Sequence, residues 1–226
     1  MKDWMIMVAV FGGIAVLVTV VVLADRARRK KIAEALAALG FEQHTKPDDL
    51  EKDSAFALLG PSWADLRTAG KGVKWTARGE VDGRQVVLVE HQYTTGSGKS
   101  RQTHVHVVAA TPAPPAWPDV RLTREGLFDK LGAVFGSKDF TVEDENFNKR
   151  WKVKTTNEDF ALLVLTPQVQ AWSMNLDQST MIRIGPGAIT VARRGALAAD
   201  SVVGLIRRCA ELANLLPVEL EAWETA

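Results

Sequence analysis

The feature that most constrains the fold is an uncharged run near the amino terminus. No residue from Trp4 to Ala24 carries a charge, and a helix needs about 20 apolar residues to cross a bilayer. The run is too long for the hydrophobic region of a secretory signal. It is also too long for an ordinary buried core helix. The sequence therefore predicts one transmembrane helix, with the lipid bilayer as the partner of residues 4–24.

A basic block follows the predicted span directly and indicates its orientation. Its members are Arg26, Arg28, Arg29, Lys30 and Lys31. At the other end the only positive charges are Lys2 and the amino terminus, and loops rich in Lys and Arg stay on the cytoplasmic side. We therefore expect a single-pass protein of the cell membrane, with its N-terminus outside and its C-terminal domain in the cytoplasm.

Composition limits the remaining classes of function. The formal net charge is +1 over 226 residues, whereas a nucleic-acid partner normally requires a basic excess or patch, so no nucleic acid is expected. The single cysteine, Cys209, cannot form an internal disulfide, which fits a reducing compartment. Its place in a helical pattern favours a small core residue over a nucleophile.

The chain divides into three predicted parts. Residues 1–31 form the transmembrane anchor with its basic cytoplasmic flank. Residues 32–60 form a helical stalk and a linker, because a helical pattern runs to Gly40 and Pro47 follows in a polar stretch. Residues 61–226 form the cytoplasmic domain.

The stretch from Val73 to Ala110 predicts three consecutive antiparallel strands. Val-Asp-Gly at 81–83 and Gly-Ser-Gly at 96–98 suit three-residue hairpin turns that end in glycine. With these turns, Val89 pairs with Val105. One face then collects Trp75, Ala77, Val87, Val89, Val105 and Val107, and the other collects Glu90, Gln92, Gln102, His104 and His106.

The second half mixes strands with helices. Thr123 suits a helix N-cap, residues 144–148 suit a turn, and residues 151–155 alternate as a strand. Further expected elements are a helix capped by Asn157, a new helix starting at Thr166-Pro167, a hairpin across residues 185–187, and a final helix over residues 198–215. Because no βαβ alternation occurs, the sequence predicts an α+β domain with one mostly antiparallel sheet and helices on its apolar face.

The run from Gly96 to Ser100 resembles a phosphate-binding loop. The full motif needs a further glycine where Tyr93 stands, and a helix must follow the loop. A strand pattern follows instead, so we interpret the run as the tip of a hairpin.

Two histidines, His104 and His106, lie two residues apart on one predicted strand and therefore point the same way. A zinc site needs a third ligand. In the predicted register His91 lies on the opposite face and Glu90 lies closer, so the candidate metal ligands are His104, His106 and Glu90. The alternative is a solvated polar strand face with no metal or other cofactor, and this is the interpretation that the sequence favours.

Several short motifs occur in a fixed order along the chain. They are Leu39-Gly40-Phe41, the Gly-x-x-x-Gly-Arg-x-Val pattern from Gly79 to Val86, the run from Tyr93 to Lys99, Phe147-Asn148 before Trp151, and Leu165-Thr166-Pro167. In this order the sequence resembles a bacterial, actinobacterial-type family of single-pass membrane-anchored proteins of unknown function. The resemblance covers nearly the whole chain and implies an anchored protein, but it implies no ligand, activity or catalytic residue.

No motif joins a serine or cysteine nucleophile to a histidine and an acid. The sequence therefore favours a membrane-anchored, non-enzymatic interaction or scaffold module with an unidentified protein partner. Two alternatives remain open. One is a metal-dependent or hydrolytic enzyme that uses the strand face of His104 and His106. The other is a domain that contacts lipid.

Overall fold

The computed structural model describes residues 2–44, 72–124 and 137–223. Nine strands form one antiparallel sheet in the order β1-β2-β3-β4-β9-β8-β5-β7-β6. They are β1 (Glu42–His44), β2 (Val73–Val81), β3 (Arg84–Thr95), β4 (Gln102–Pro112), β5 (Val120–Thr123), β6 (Lys138–Phe140), β7 (Lys152–Thr155), β8 (Thr180–Gly185) and β9 (Ala188–Arg194). The predicted α+β class with a mostly antiparallel sheet is confirmed.

Five α-helices accompany the sheet in the described residues. They are α1 (Lys2–Ala38), α2 (Glu145–Arg150), α3 (Glu158–Val164), α4 (Pro167–Met174) and α5 (Ala199–Leu215). Short 3-10 turns occupy Gly98–Ser100 and Val218–Ala222. Helix α5 packs on strands β3, β4 and β9 and on α1, so the middle of the sheet and the amino-terminal helix share one core.

The carboxyl-terminal part of α1 belongs to that core. Ile32 and Leu36 are completely buried in the same apolar cluster as the sheet and α5. Just beyond the helix, the ring of Phe41 fills the space beside Gly79, where an added Cβ would lie 2.4 Å from a ring carbon. The helical stretch predicted as a stalk is therefore packed against the domain.

The earlier part of α1 presents apolar side chains to the outside. Val16, Leu17, Val18, Val20, Val21, Val22 and Leu23 are between 44% and 67% exposed. Of residues 2–12, 14 and 15 only the helical backbone is described, so much of the predicted span at 4–24 lies outside the residues with described side chains. Within the described residues, no helix combines the length and the apolar character needed to cross a membrane.

The β2–β3 turn is one residue shorter than predicted. Val81 pairs with Arg84, which leaves only Asp82 and Gly83 in the turn. Both have positive φ, 53° and 75°, as a type I′ hairpin turn requires. The shift moves the pairing of β3 by one residue, and Ala77 consequently lies opposite Leu88 instead of Val87.

The β3–β4 loop is longer than predicted. Thr95 pairs with Gln102, so residues 96–101 form the loop, and Val89 pairs with Val108 instead of Val105. Gly98 has the expected positive φ, 55°. Lys99 lies between two strands and precedes no α-helix, which confirms the hairpin tip and contradicts a phosphate-binding loop.

As a consequence, the predicted faces were wrong for β3, whereas β2 and β4 present the predicted faces. The helix-side face carries Trp75, Ala77, Val86, Leu88, Val107 and Ala109, all buried in the main core. The opposite face, called the far face below, carries a second cluster formed by Val87, Val89, Val108 and Ala110. Because β3 is apolar at successive positions and buried on both sides, it lacks the alternation that would have fixed its register.

The second half follows its sequence signals closely. Asn157 caps α3 by accepting a 2.9 Å hydrogen bond from the amide of Phe160, and Thr166 caps α4 in the same way through Val169. Helix α5 buries its predicted stripe, which includes Leu205 and Cys209. Residues 144–148, predicted as a turn, begin helix α2 instead, because the carboxylate of Asp144 caps its first amides.

Arg124 links the end of α2 to the segment just after α4 by hydrogen bonds. Its guanidinium donates to the carbonyl oxygen of Arg150 at 2.8 Å and to that of Leu176 at 3.1 Å, and it lies 3.8 Å from the ring centre of Trp151. Burial and the nearby charge of Arg150 lower the pKa of Arg124 to about 10. The helix predicted after Thr123 and most of the predicted linker up to residue 60 lie outside the described residues.

Candidate functional site

The first candidate site is the junction between α1 and the sheet. The guanidinium of Arg28 donates two hydrogen bonds to the carboxylate of Glu90, 2.9 Å to Oε2 and 3.2 Å to Oε1. It also donates to the carbonyl oxygen of Leu197 at 3.1 Å and to Asp25 at 3.0 Å. One side chain of α1 thus meets strand β3 and the segment between β9 and α5.

The spacing of α1 explains why this contact forms. Arg28, Ile32 and Leu36 are four residues apart and therefore lie on one side of the helix. Ile32 and Leu36 enter the core, so Arg28, one turn earlier, faces the sheet where Glu90 points toward the helix. The two apolar contacts position the ion pair.

This ion pair is largely buried. The side chain of Glu90 is 3% exposed and that of Arg28 is 19% exposed. The hydrogen bond to Glu90 raises the pKa of Arg28 despite its partial burial. Burial also raises the pKa of Asp25, but the hydrogen bonds and charges of Arg28 and Arg29 outweigh that effect and hold it below its usual value. Arg28 and Asp25 therefore remain charged at neutral pH.

The second candidate site is a ring cluster on the far face of β3 and β4. His91 pairs with His106, and Tyr93 pairs with His104. The ring centre of Tyr93 lies 4.9 Å from that of His104, 5.6 Å from that of His106 and 5.8 Å from that of His91. All three histidines are at most 5% exposed, so their rings form a buried polar group against the half-buried ring of Tyr93.

Within the cluster, His104 has hydrogen-bond partners, whereas His106 has none among the described residues. His104 Nε2 lies 2.8 Å from the hydroxyl of Thr95, and its Nδ1 lies 3.3 Å from Arg194. Neither ring nitrogen of His106 has a hydrogen-bond partner among the described residues. Burial, together with the charges of His91, Arg194 and His104, lowers the pKa of His106 to about 4. His106 is therefore neutral at neutral pH.

The predicted metal candidates do not come together. His104 and His106 share the far face as expected, but Glu90 lies on the helix side with Arg28. His91, which the predicted register had placed on the other side, joins the two histidines instead. In the described parts of the chain, no three His, Cys, Asp or Glu side chains are grouped so that they could hold a metal ion.

Arg28, which makes most of the polar contacts at the junction, was not predicted as a site residue. It belongs to the basic block after the predicted span, but its side chain turns into the domain. A lone acid within the apolar strand run around Glu90 was the available signal, because a buried carboxylate needs a partner of opposite charge. Arg194 makes another contact that no motif signals, since its guanidinium lies 3.3 Å from a ring nitrogen of His104.

Comparison with known proteins yields one informative match. No protein-family model matches the sequence, and no curated protein matches it either. The fold is similar to that in the crystal structure of the mycobacterial trehalose monomycolate transport factor A, TtfA, with a TM-score of 0.56 and 16% identity. The match covers 84% of this chain and 95% of that chain. At this identity the likeness shows a shared fold with an actinobacterial protein.

Proposed function

We propose that this chain is a membrane-anchored, non-enzymatic interaction module, whose sheet domain is held at the cytoplasmic surface of the membrane by α1. The observation that carries the proposal is the division of α1 into two parts. Its last turns are buried in the domain core through Ile32 and Leu36. Its earlier turns expose apolar residues from Val16 to Leu23.

The exposed part suits lipid better than water. Side chains at consecutive positions point to all sides of a helix, and here each of the seven described apolar ones is at least 44% exposed. A helix that is apolar on all sides needs an apolar environment. The uncharged sequence continues to Trp4, which gives the length that a bilayer requires.

Charges at the junction support the cytoplasmic orientation. Arg28 turns inward to Glu90, but Arg26, Arg29, Lys30 and Lys31 remain near the end of the proposed span. A cluster of this kind resists translocation and marks the cytoplasmic side.

The similar structure supports a role other than catalysis. TtfA is named as a transport factor, and we propose by analogy that this chain also assists a membrane process through binding. The analogy concerns the fold, and one fold can serve several functions. The direct test of binding is a pull-down of the full chain from detergent-solubilised membranes. Recovery of no specific partner, together with turnover of a small molecule by the chain, would refute a binding role.

The anchor is tested by extraction and by labelling. We expect the full chain to stay in the membrane pellet after alkaline carbonate, because residues 4–24 are held by lipid. The buried Cys209, whose pKa burial raises to about 12, should not react with a maleimide. A cysteine introduced by Glu145→Cys, at an exposed position on α2, can therefore report orientation alone. Labelling should occur in inverted vesicles and not in intact cells, and the reverse pattern would contradict the proposed orientation.

A further inference from the structure

The direction of β3 relative to α1 places one end of the domain beside the exposed apolar helix. Phe41, just after α1, contacts Gly79, which pairs with Val86, while Arg28 contacts Glu90. From Val86 to Glu90 the strand rises about 13 Å, and from Ala38 to Arg28 the helix rises about 15 Å. The two therefore run side by side in opposite chain directions.

Beyond Glu90 the hairpin continues toward the amino-terminal end of α1. Strand β3 runs on to Thr95, five residues further, which adds about 17 Å. The proposed span ends at Ala24, only one turn of α1 before Arg28, which is about 6 Å along the helix. The hairpin is therefore long enough to reach the bilayer surface, and its tip lies on the side of the domain from which the exposed apolar part of α1 extends.

The tip carries only positive charge. Residues 94–103 are all exposed, and Lys99 and Arg101 are the charged residues among them. No acidic residue occurs between Glu90 and Asp119. Gly98–Ser100 forms a 3-10 turn without buried residues, so both cations stand at the end of the hairpin.

We propose that this hairpin tip is a second membrane contact, in which Lys99 and Arg101 bind the headgroups of anionic phospholipids. The inference rests on the proposed anchor, because only a bilayer around residues 4–24 brings lipid to the level of the tip. Cations close to an anionic leaflet attract it, each by about fivefold in the binding equilibrium. The hairpin then fixes how the domain stands on the membrane, since the anchor and the tip touch it at two separate points.

The test uses the full chain in liposomes that contain a lipid with a quencher on its headgroup. A fluorophore is attached by Ser97→Cys at the tip or by Glu145→Cys on α2, both exposed positions. We expect stronger quenching at position 97 than at position 145. We also expect it to increase when phosphatidylcholine is partly replaced by phosphatidylglycerol.

Matched charge variants separate headgroup binding from general attraction. Lys99→Ala with Arg101→Ala should abolish the increase at position 97, whereas Lys138→Ala with Lys149→Ala should keep it. The control pair removes the same charge from exposed positions on β6 and α2. The inference would be overturned if both variant pairs lost the increase in quenching equally. It would also be overturned if quenching at position 97 did not change with the lipid charge.

Flotation of the same liposomes separates this inference from the proposed function. A chain that does not float with the liposomes refutes the anchor and the tip contact together. A chain that floats, with equal quenching at positions 97 and 145, refutes the tip contact alone.

Discussion

Arg28 and Glu90, 62 positions apart in the chain, form a two-pronged ion pair between α1 and the sheet. The two partners are unequally supported. Arg28 also donates hydrogen bonds to Asp25 and to the carbonyl oxygen of Leu197. The carboxylate of Glu90, in contrast, is paired with Arg28 among the described residues. Removing Arg28 and removing Glu90 should therefore lower the stability of the fold by different amounts.

We predict that Arg28→Ala destabilises the fold more than Glu90→Ala does. Arg28→Ala leaves a buried carboxylate without a counter-charge and should cost about 3 kcal/mol or more. Glu90→Ala leaves an arginine that keeps two acceptors and should cost about half as much. Urea unfolding of the detergent-solubilised chain measures both.

The double variant Arg28→Ala with Glu90→Gln provides the control. It should recover part of the loss seen in Arg28→Ala, because a neutral amide is less costly to bury than an unpaired carboxylate. Equal stability of Arg28→Ala and the parent chain would show that the ion pair does not support the fold.

The second prediction concerns pH and His106. Its pKa is about 4 in the folded chain, below the ordinary value of 6.5, so the unfolded chain binds more protons between these values. Stability should consequently fall as the pH decreases from about 6.5 to about 4, by up to about 3 kcal/mol. His91, His104 and Arg194 face the same ring and add to its cost of protonation.

The variant His106→Leu keeps a side chain of similar size and cannot be protonated. Unfolding measured at several pH values should give a flatter dependence for this variant than for the parent. The same slope in both proteins would mean that His106 contributes nothing to acid sensitivity.

A third prediction compares two glycines of the hairpin tip that both have positive φ, Gly96 at 79° and Gly98 at 55°. An added Cβ at Gly98 meets nothing within 4 Å, but at Gly96 it would lie 2.4 Å from the carbonyl oxygen of Ser100. Gly98→Ala should cost about 1 kcal/mol from backbone strain. Gly96→Ala should cost more, and Gly98→Asn less, because asparagine tolerates the left-handed region. Thermal melting measures the order of the three variants. A higher melting temperature for Gly96→Ala than for Gly98→Ala would be inconsistent with this loop conformation.

A fourth prediction concerns the contact of Phe41 with Gly79. A Cβ at Gly79 would approach the ring to 2.4 Å, so Gly79→Ala should displace Phe41 and cost about 1–3 kcal/mol. Adding Phe41→Leu, which shortens the side chain, should restore part of this loss. Denaturant unfolding measures the free energies of the single and double variants. If the losses from Gly79→Ala and Phe41→Leu simply add, the contact between the two residues does not explain the destabilisation.

The sequence predicted best where structure is set locally. Asn157 and Thr166-Pro167 determine the starts of α3 and α4 through their own side chains and backbone, and the stripe along α5 needs only helical periodicity. The β2–β3 register failed for a local reason as well. Residues 81–83 fit a three-residue loop, but the positive φ of Asp82 closes the turn with two.

The candidate sites depended on long-range relationships that the sequence does not express. A shift of one residue in β3 exchanges the faces of Glu90 and His91, and the metal hypothesis depended on that register. The pairing of Arg28 with Glu90 requires the path of α1 across the sheet, which no motif encodes. The direction in which the β3–β4 hairpin extends relative to α1 follows from the same path.

Helix α1 runs from Lys2 to Ala38 without interruption, a length of about 55 Å. Beyond Gly13 it contains neither proline nor glycine that could serve as a joint, and its last turns are fixed by Ile32, Leu36 and Arg28. A tilt or rotation imposed on this part of the helix must therefore turn the whole sheet with it. The helix acts as a lever, so a partner or a bilayer that changes its angle also changes the direction in which the domain faces.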